Sequence, residues 1–360
     1  MIYLITVGVN IFTNKIRGKF TIISLLLVAV LVYLSGTPDP LTTADYLAYQ
    51  GEYQNKLLGY TSRFEWLYQK ITDIAIYYNW DYPHLRLFLI FIFFLVMFVG
   101  VYRLTRNVKY YWLMFSLGLF FIETIQLRSF GMISFVILGI SFQYRRGITG
   151  YLLSIFFIFL STGLHSSGYL FFLVPLINFL VKNWTIKKLI VALLLNLSLG
   201  IVLIFSSTSG ASFVLSDLLN TISPNNESAV NIATLYATGF ALSTILLLIA
   251  FVMPLLYLIY ILKYNKFLLS DRKVMVILSF ISVTMIGLPL LVLSSQYDRV
   301  LREGMMGVIL LMAIINERVS TKNRINIYFS CLYFIFIFIF IGGIQNSFVF
   351  QNILHYIHLV

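Results

Sequence analysis

Charge is what this sequence has least of. Only 11% of its 360 residues are Asp, Glu, Lys or Arg, against roughly 25% in soluble domains. That excludes a soluble globular enzyme, and a disordered chain would need more charge still. Cysteine is nearly absent: Cys331 alone permits no intramolecular disulfide and no cysteine-based metal site. It sits in an apolar run and reads as a small buried hydrophobe. The phosphate loop G-x-x-x-x-G-K-[ST], the zinc helix H-E-x-x-H and the nucleophile elbow G-x-S-x-G are all missing. No carboxylate cluster asks for a metal, so neither metal nor cofactor is expected. The apolar runs hold few charges at mid-span, which argues against an ion-coupled pump. There is no internal repeat and no low-complexity linker.

What is present is apolar. Hydrophobic residues make up 60% of the chain, with 33 Phe and 24 Tyr, and the mean hydropathy is +0.93. Lipid gives the backbone no hydrogen-bond partner, so long apolar runs read as helices. The predicted fold is all-α: a polytopic transmembrane helical bundle forming one integral membrane domain over 1–360. At about 20 residues per crossing, the runs give about 11 spans. They are 20–35, 85–102, 110–126, 129–144, 148–163, 167–181, 188–206, 235–262, 274–294, 304–316 and 326–343. The run ending at Ser35-Gly36-Thr37-Pro38 lacks a small-x-small cleavage site and reads as a retained first span. Met1 to Phe12 are too short to cross alone and read as an interfacial or re-entrant segment.

Basic residues fix the expected orientation. With the N-terminus cytoplasmic, the inner junctions hold Lys15, Arg17 and Lys19; Arg103, Arg106 and Lys109; Arg145 and Arg146; Lys182, Lys187 and Lys188; Lys263, Lys266, Arg272 and Lys273; and Arg318, Lys322 and Arg324. Eighteen of the 25 Lys and Arg therefore fall at every second junction, which predicts N-in, C-out. The net charge of +12 is thereby a topology signal, and no nucleic-acid partner is expected. Of the 13 acids only Asp271 and Glu317 fall inside.

Two outer segments exceed hairpin length. Residues 36–84 contain an amphipathic stretch (Leu57, Tyr60, Phe64, Leu67, Tyr68, Ile71, Ile74) expected to lie along the surface as a helix. Residues 207–234, rich in Ser, Thr and Asn, read as a flap.

Four constellations at this outer side carry chemistry. Glu123, Gln126 and Arg128 fall at one turn, with Arg128 opening the next helix. Arg128 there holds a phosphate, anchors at the interface, or pairs with Glu123. His165 sits in Ser161-Thr-Gly-Leu-His-Ser-Ser-Gly, as a general base, a donor to phosphate or sugar hydroxyl, or a capped turn residue. Asp298, Arg299, Arg302 and Glu303 start a late helix; two Arg on one face suit phosphate oxygens, and a local salt-bridge network is the alternative. In the first loop, Asp45, Tyr46, Tyr49, Glu52, Tyr53, Tyr60, Arg63, Phe64, Glu65 and Trp66 set aromatic faces beside carboxylates, which suits sugar rings and the membrane interface alike.

The order of these motifs resembles the EpsG-like branch of the Wzy-type polysaccharide polymerases. Asp45-x3-Tyr49-x3-Tyr53 comes first, then Phe64-Glu65-Trp66-x-Tyr68 and a span. Gln126-Leu-Arg128-Ser-Phe-Gly-Met-Ile leads into a helix, Gly163-Leu-His165-Ser-Ser precedes an apolar helix ending at Pro175, and Arg299 opens a late span. The chain departs from that branch at Ser129-Phe130-Gly131, where Ala-rich residues are usual, and at Trp66-Leu-Tyr, where Gly is usual. The resemblance implies a multi-pass enzyme of the bacterial cytoplasmic membrane acting on its outer face. Donor and acceptor would be glycans on undecaprenyl pyrophosphate, with membrane lipid around them and a chain-length regulator among the partners allowed. Catalytic roles would fall to Arg128, Arg299, His165, Glu65 and Asp45. Arg302, Gln126, Glu123, Tyr49, Tyr53, Arg63, Asp298 and Glu303 would bind substrate.

Three other functions compete. An O-antigen ligase would share the chemistry and change the acceptor. A lipid-linked glycan flippase would distribute charge down a central cavity. A membrane acyltransferase would want its His facing the cytosol, where His165 is not expected.

Overall fold

The computed structural model describes residues 2–13, 22–41, 43–145, 147–205, 217, 242–292, 297–319 and 325–345. Among them every regular element is a helix. Four are long and apolar enough to cross a membrane: Tyr82–Leu104, Ile186–Leu203, Leu247–Tyr264 and Arg272–Leu290. Six further apolar helices run 10–17 residues, Ile22–Gly36 and Leu127–Ile140 among them. The chain is a multi-pass helical membrane protein. The 207–234 flap lies outside the described residues, Asp217 excepted.

The chain sorts into two compact units, Met1–Phe179 with Ile309–Val360, and Leu180–Val308. The first begins with α1 (Ile2–Thr13), α2 (Ile22–Gly36), α3 (Tyr46–Leu57), α4 (Trp66–Tyr77) and α5 (Tyr82–Leu104). It continues with α6 (Val108–Gly118), α7 (Phe120–Glu123), α8 (Leu127–Ile140) and α9 (Ile148–Thr162). A 3-10 turn, Ser166–Phe172, leads into α10 (Leu173–Leu180). The second unit holds α11 (Ile186–Phe205), α12 (Leu242–Tyr264), α13 (Arg272–Thr284), α14 (Gly287–Leu290) and the first half of α15 (Asp298–Arg318). The rest of α15 and α16 (Ile327–Gln345) return to the first.

Three expected spans are not single helices. The 110–126 run breaks at Leu119 into α6 and α7, 167–181 is the 3-10 turn plus α10, and 274–294 bends between α13 and α14. The segment 304–316 starts earlier, at Asp298. Irregular backbone at such depth is tolerated where protein buries it, and Gly118, Leu119 and Phe120 are all buried.

Side-chain bonds mark two ends of the first unit. At one, buried Arg86 donates through Nε to the Ser35 carbonyl (3.2 Å), through Nη2 to that of Thr124 (3.1 Å), and through Nη1 to the Tyr82 hydroxyl (3.4 Å). This ties the end of α2 and the turn before α8 to the start of α5. At the other, Arg103 Nε donates to Ser141 Oγ at 2.9 Å. Glu317 Oε2 there accepts from Thr105 Oγ1 (3.1 Å) and the Arg106 amide (2.8 Å). α5 and α8 run side by side in the same direction: a Cβ on Gly131 would meet Phe93, and one on Gly100 would meet Ile137 and Leu138. α9 returns antiparallel, with Gln143 Nε2 donating to Ser154 Oγ at 2.6 Å.

α1 packs against α6. Its Tyr3 hydroxyl donates to the Ser116 carbonyl at 2.6 Å, while Lys109 Nζ donates to the Thr13 carbonyl at 3.3 Å. It therefore runs antiparallel to α6.

The amphipathic stretch of the 36–84 loop is not one helix. Gly59, at φ +85°, ends α3: its amide donates to the Lys56 carbonyl and that of Tyr60 to Asn55, both at 3.0 Å. This is the paired carbonyl capping that a left-handed residue permits after a helix. Leu57, Tyr60 and Ile74 are consequently exposed. The buried stripe is instead Phe64, Tyr68, Thr72 and Ala75, the i, i+4 rhythm of one helix face. It meets Tyr46, Tyr49 and Tyr53 of α3, with ring centroids 5.3 Å apart for Tyr49–Phe64 and 5.2 Å for Phe64–Tyr68. Asp81 caps α5 by accepting from the His84 amide at 2.9 Å.

Candidate functional site

α4 lacks a side-chain cap of its own. Glu65 occupies the N-cap position, but its carboxylate makes no cap bond. The Gly163 carbonyl, in the turn after α9, accepts from the Leu67 and Tyr68 amides instead, at 2.9 and 3.0 Å. Those are two of the donors a helix start leaves unsatisfied. Borrowing a carbonyl from a remote turn frees the Glu65 side chain for tertiary contacts.

That carboxylate reaches two partners. Oε2 pairs with Nη1 of Arg128, and Oε1 accepts the Ser166 amide at 3.0 Å. Arg128 stands in the first turn of α8, with its guanidinium 3.9 Å from the Phe64 ring centroid and 5.8 Å from that of Tyr49. Tyr49 also hydrogen-bonds it. Its Nε is buried without a hydrogen-bond partner, so this guanidinium has donor capacity in reserve. Burial pushes the nearby Tyr68 phenol well up, with Tyr82 and Tyr49 adding to the effect and Arg128 and Arg86 opposing it. Tyr68 is therefore a neutral wall.

His165 precedes Ser166 and caps the 3-10 turn: its Nδ1 lies 3.2 Å from the Ser167 amide nitrogen and 2.8 Å from Ser167 Oγ. Glu65, Arg128, Tyr49 and the backbone of the turn that begins at His165 thus meet from four elements. Phe64, which the sequence placed in the aromatic loop, and Gly163, Ser166 and Ser167, which its motifs contained without a role, complete the arrangement. Gly163 needs its missing side chain. A Cβ there would lie 2.6 Å from Leu67 Cβ and 2.6 Å from Trp66 Cε2. Gly163→Ala should cost about 1–3 kcal/mol and loosen the Glu65–Arg128 pair; thermal unfolding in detergent reads the first effect.

Other candidates take different places. Asp45 is exposed at the N-cap of α3 in a left-handed conformation, φ +64°. Tyr53 is buried and donates to the Trp80 carbonyl. Arg63 pairs with Glu52 at 2.9 Å. These last two hold the loop together. Gln126 is the N-cap of α8, and Glu123 is 1% exposed in α7. Arg128 has Glu65 as its carboxylate partner, across 63 positions.

In the second unit, Arg302 Nε lies 3.2 Å from Asp298 Oδ2, one helical turn apart. Arg302 is 2% exposed, Asp298 5% and Glu303 1%. The local ion-pair alternative is thus realised for Asp298 and Arg302. Arg299 shares their first helical turn. Among the described residues no three His, Cys, Asp or Glu converge on a metal-sized point.

The EpsG family model matches residues 21–358, nearly the whole chain. The chain belongs to the EpsG family. No curated protein and no solved structure matches it. The family match covers every described element from α2 onward, so the meeting of Glu65 with Arg128 and Ser166 lies wholly within the EpsG region.

Proposed function

We propose that this EpsG-family chain polymerises oligosaccharide repeats carried on undecaprenyl pyrophosphate, at the outer face of the bacterial cytoplasmic membrane. The observation that carries the reading is Arg128. Its guanidinium is clamped between Phe64 and Glu65, whose carboxylate also accepts the backbone amide of Ser166. Such a site stabilises the diphosphate leaving group as negative charge develops on it.

The acceptor sugar hydroxyl attacks the anomeric carbon of the donor. The bond from that carbon to the diphosphate oxygen breaks, its electron pair leaves with lipid pyrophosphate, and the hydroxyl proton passes to a base. Arg128 neutralises the departing charge. Tyr49, Tyr68 and Phe64 pack against one another behind it and hold it in place. Alternation of basic junctions supports the outward placement, as does the separation of the Arg86 end from the Arg103 and Glu317 end.

A deletion strain should accumulate single repeats on the lipid carrier and lose the long-chain ladder on gels, with both restored by the wild-type gene. A strain that keeps its ladder, or that loses surface glycan with no single-repeat intermediate, contradicts a polymerase.

A further inference from the structure

A peptide N–H can only donate a hydrogen bond. The Ser167 amide donates to Nδ1 of His165 at 3.2 Å, so Nδ1 must present its lone pair. In the neutral ring the proton then resides on Nε2. Ser167 Oγ, 2.8 Å from the same nitrogen, completes the contact. A proton on Nδ1 could still be given to Ser167 Oγ, but it would face the Ser167 amide, so both contacts are satisfied together only when Nδ1 is unprotonated. The N-cap position of His165 in the 3-10 turn therefore favours the Nε2–H tautomer.

We infer that His165 acts as a hydrogen-bond donor through Nε2–H to an oxygen of the substrate diphosphate, and not as the base, with Ser167 as the residue that positions it. The assignment rests on the polymerase reading for its substrate. The company His165 keeps points the same way. The Ser166 amide and the Arg128 guanidinium are also donors, and together they already hold a carboxylate, that of Glu65. A row of donors matches an oxyanion. It offers no lone pair to a hydroxyl proton, which must instead pass to a carboxylate.

Glutamine separates the two roles, since its side-chain amide reproduces the Nε2–H donor and cannot serve as a base. The purified protein in lipid nanodiscs is assayed with lipid-linked repeats, and size-exclusion profiles verify folding. H165Q should remain within about 10-fold of wild type, and H165A should fall by about 100-fold or more. S167A should lower kcat with little change in KM for the donor. Independently of any substrate, 15N spectra of histidine-labelled wild type, with the His165 signals assigned by their loss in H165Q, should show an unprotonated Nδ1 and a protonated Nε2. A folded H165Q as inactive as H165A overturns the inference, and so does a protonated Nδ1. If wild type makes no polymer, the polymerase reading fails on its own, and the tautomer measurement still decides the state of His165.

Discussion

Arg128→Ala should reduce chain formation by about 100-fold or more while the protein still inserts, folds and leaves single repeats on the lipid carrier. The size follows from losing one preorganised donor group at a site of developing negative charge, worth about 3–4 kcal/mol in transition-state stabilisation. Folding should survive, because the loss leaves Glu65 bonded to the Ser166 amide and Tyr49 packed on Phe64. Arg128→Lys keeps the charge and loses the planar fork that bonds several oxygens at once, so it should recover only part of the rate. The readout is glycan length on gels together with the yield of monodisperse protein. A normal ladder from the alanine variant, at normal protein level, removes Arg128 from the mechanism.

Arg86→Leu should fail in the opposite way, by unfolding. Arg86 is 1% exposed and bonds Ser35, Tyr82 and Thr124, with the Tyr46 ring 5.5 Å from its guanidinium carbon. A leucine there leaves two buried carbonyls without their donor, at about 1–3 kcal/mol each. It also unfastens α2, α5 and the turn before α8 from one another. The expected loss is about 3–5 kcal/mol, seen as a lowered unfolding temperature in detergent and poor accumulation in the membrane. Whatever fraction folds should keep a normal donor KM, since Arg86 serves the scaffold. An unchanged unfolding temperature would falsify that role.

These two arginines show what the sequence reveals and what it hides. Both lie at span edges, where a charge is costly unless it is paired or used, and the sequence marks both as outer residues. It selects Arg128 for chemistry through its motif and leaves Arg86 as a topology count. Only the structure shows the three oxygens around Arg86, which come from positions 4 to 51 residues away.

Hydropathy made the membrane class and several helices legible, α5 most clearly. It missed the breaks at Leu119 and at Met285–Ile286, because buried backbone can deviate without any change in side-chain character. The surface helix proposed across Leu57–Ile74 failed at Gly59, whose positive φ stops α3. The apolar spacing was real, but it belonged to two helices with different buried faces. The meeting of Glu65 with Arg128 and Ser166 could not be read locally, since it spans 63 and 101 positions. Motif order brought these residues under suspicion. The borrowed Gly163 carbonyl explains why Glu65 is available at all.

That tethered carboxylate has one more implication. With Glu65 on its guanidinium, Arg128 is never a naked cation exposed to the salts of the medium. Any incoming anion must compete with an internal rival for that charge, so its observed affinity is lowered by the association already in place. Chloride or a stray monovalent phosphate gains little from such an exchange. A lipid-tethered diphosphate, doubly charged and anchored by its tail, gains enough. The fold thereby filters its ligands by competition, and removing the rival, as in Glu65→Gln, should make the protein susceptible to inhibition by simple inorganic anions.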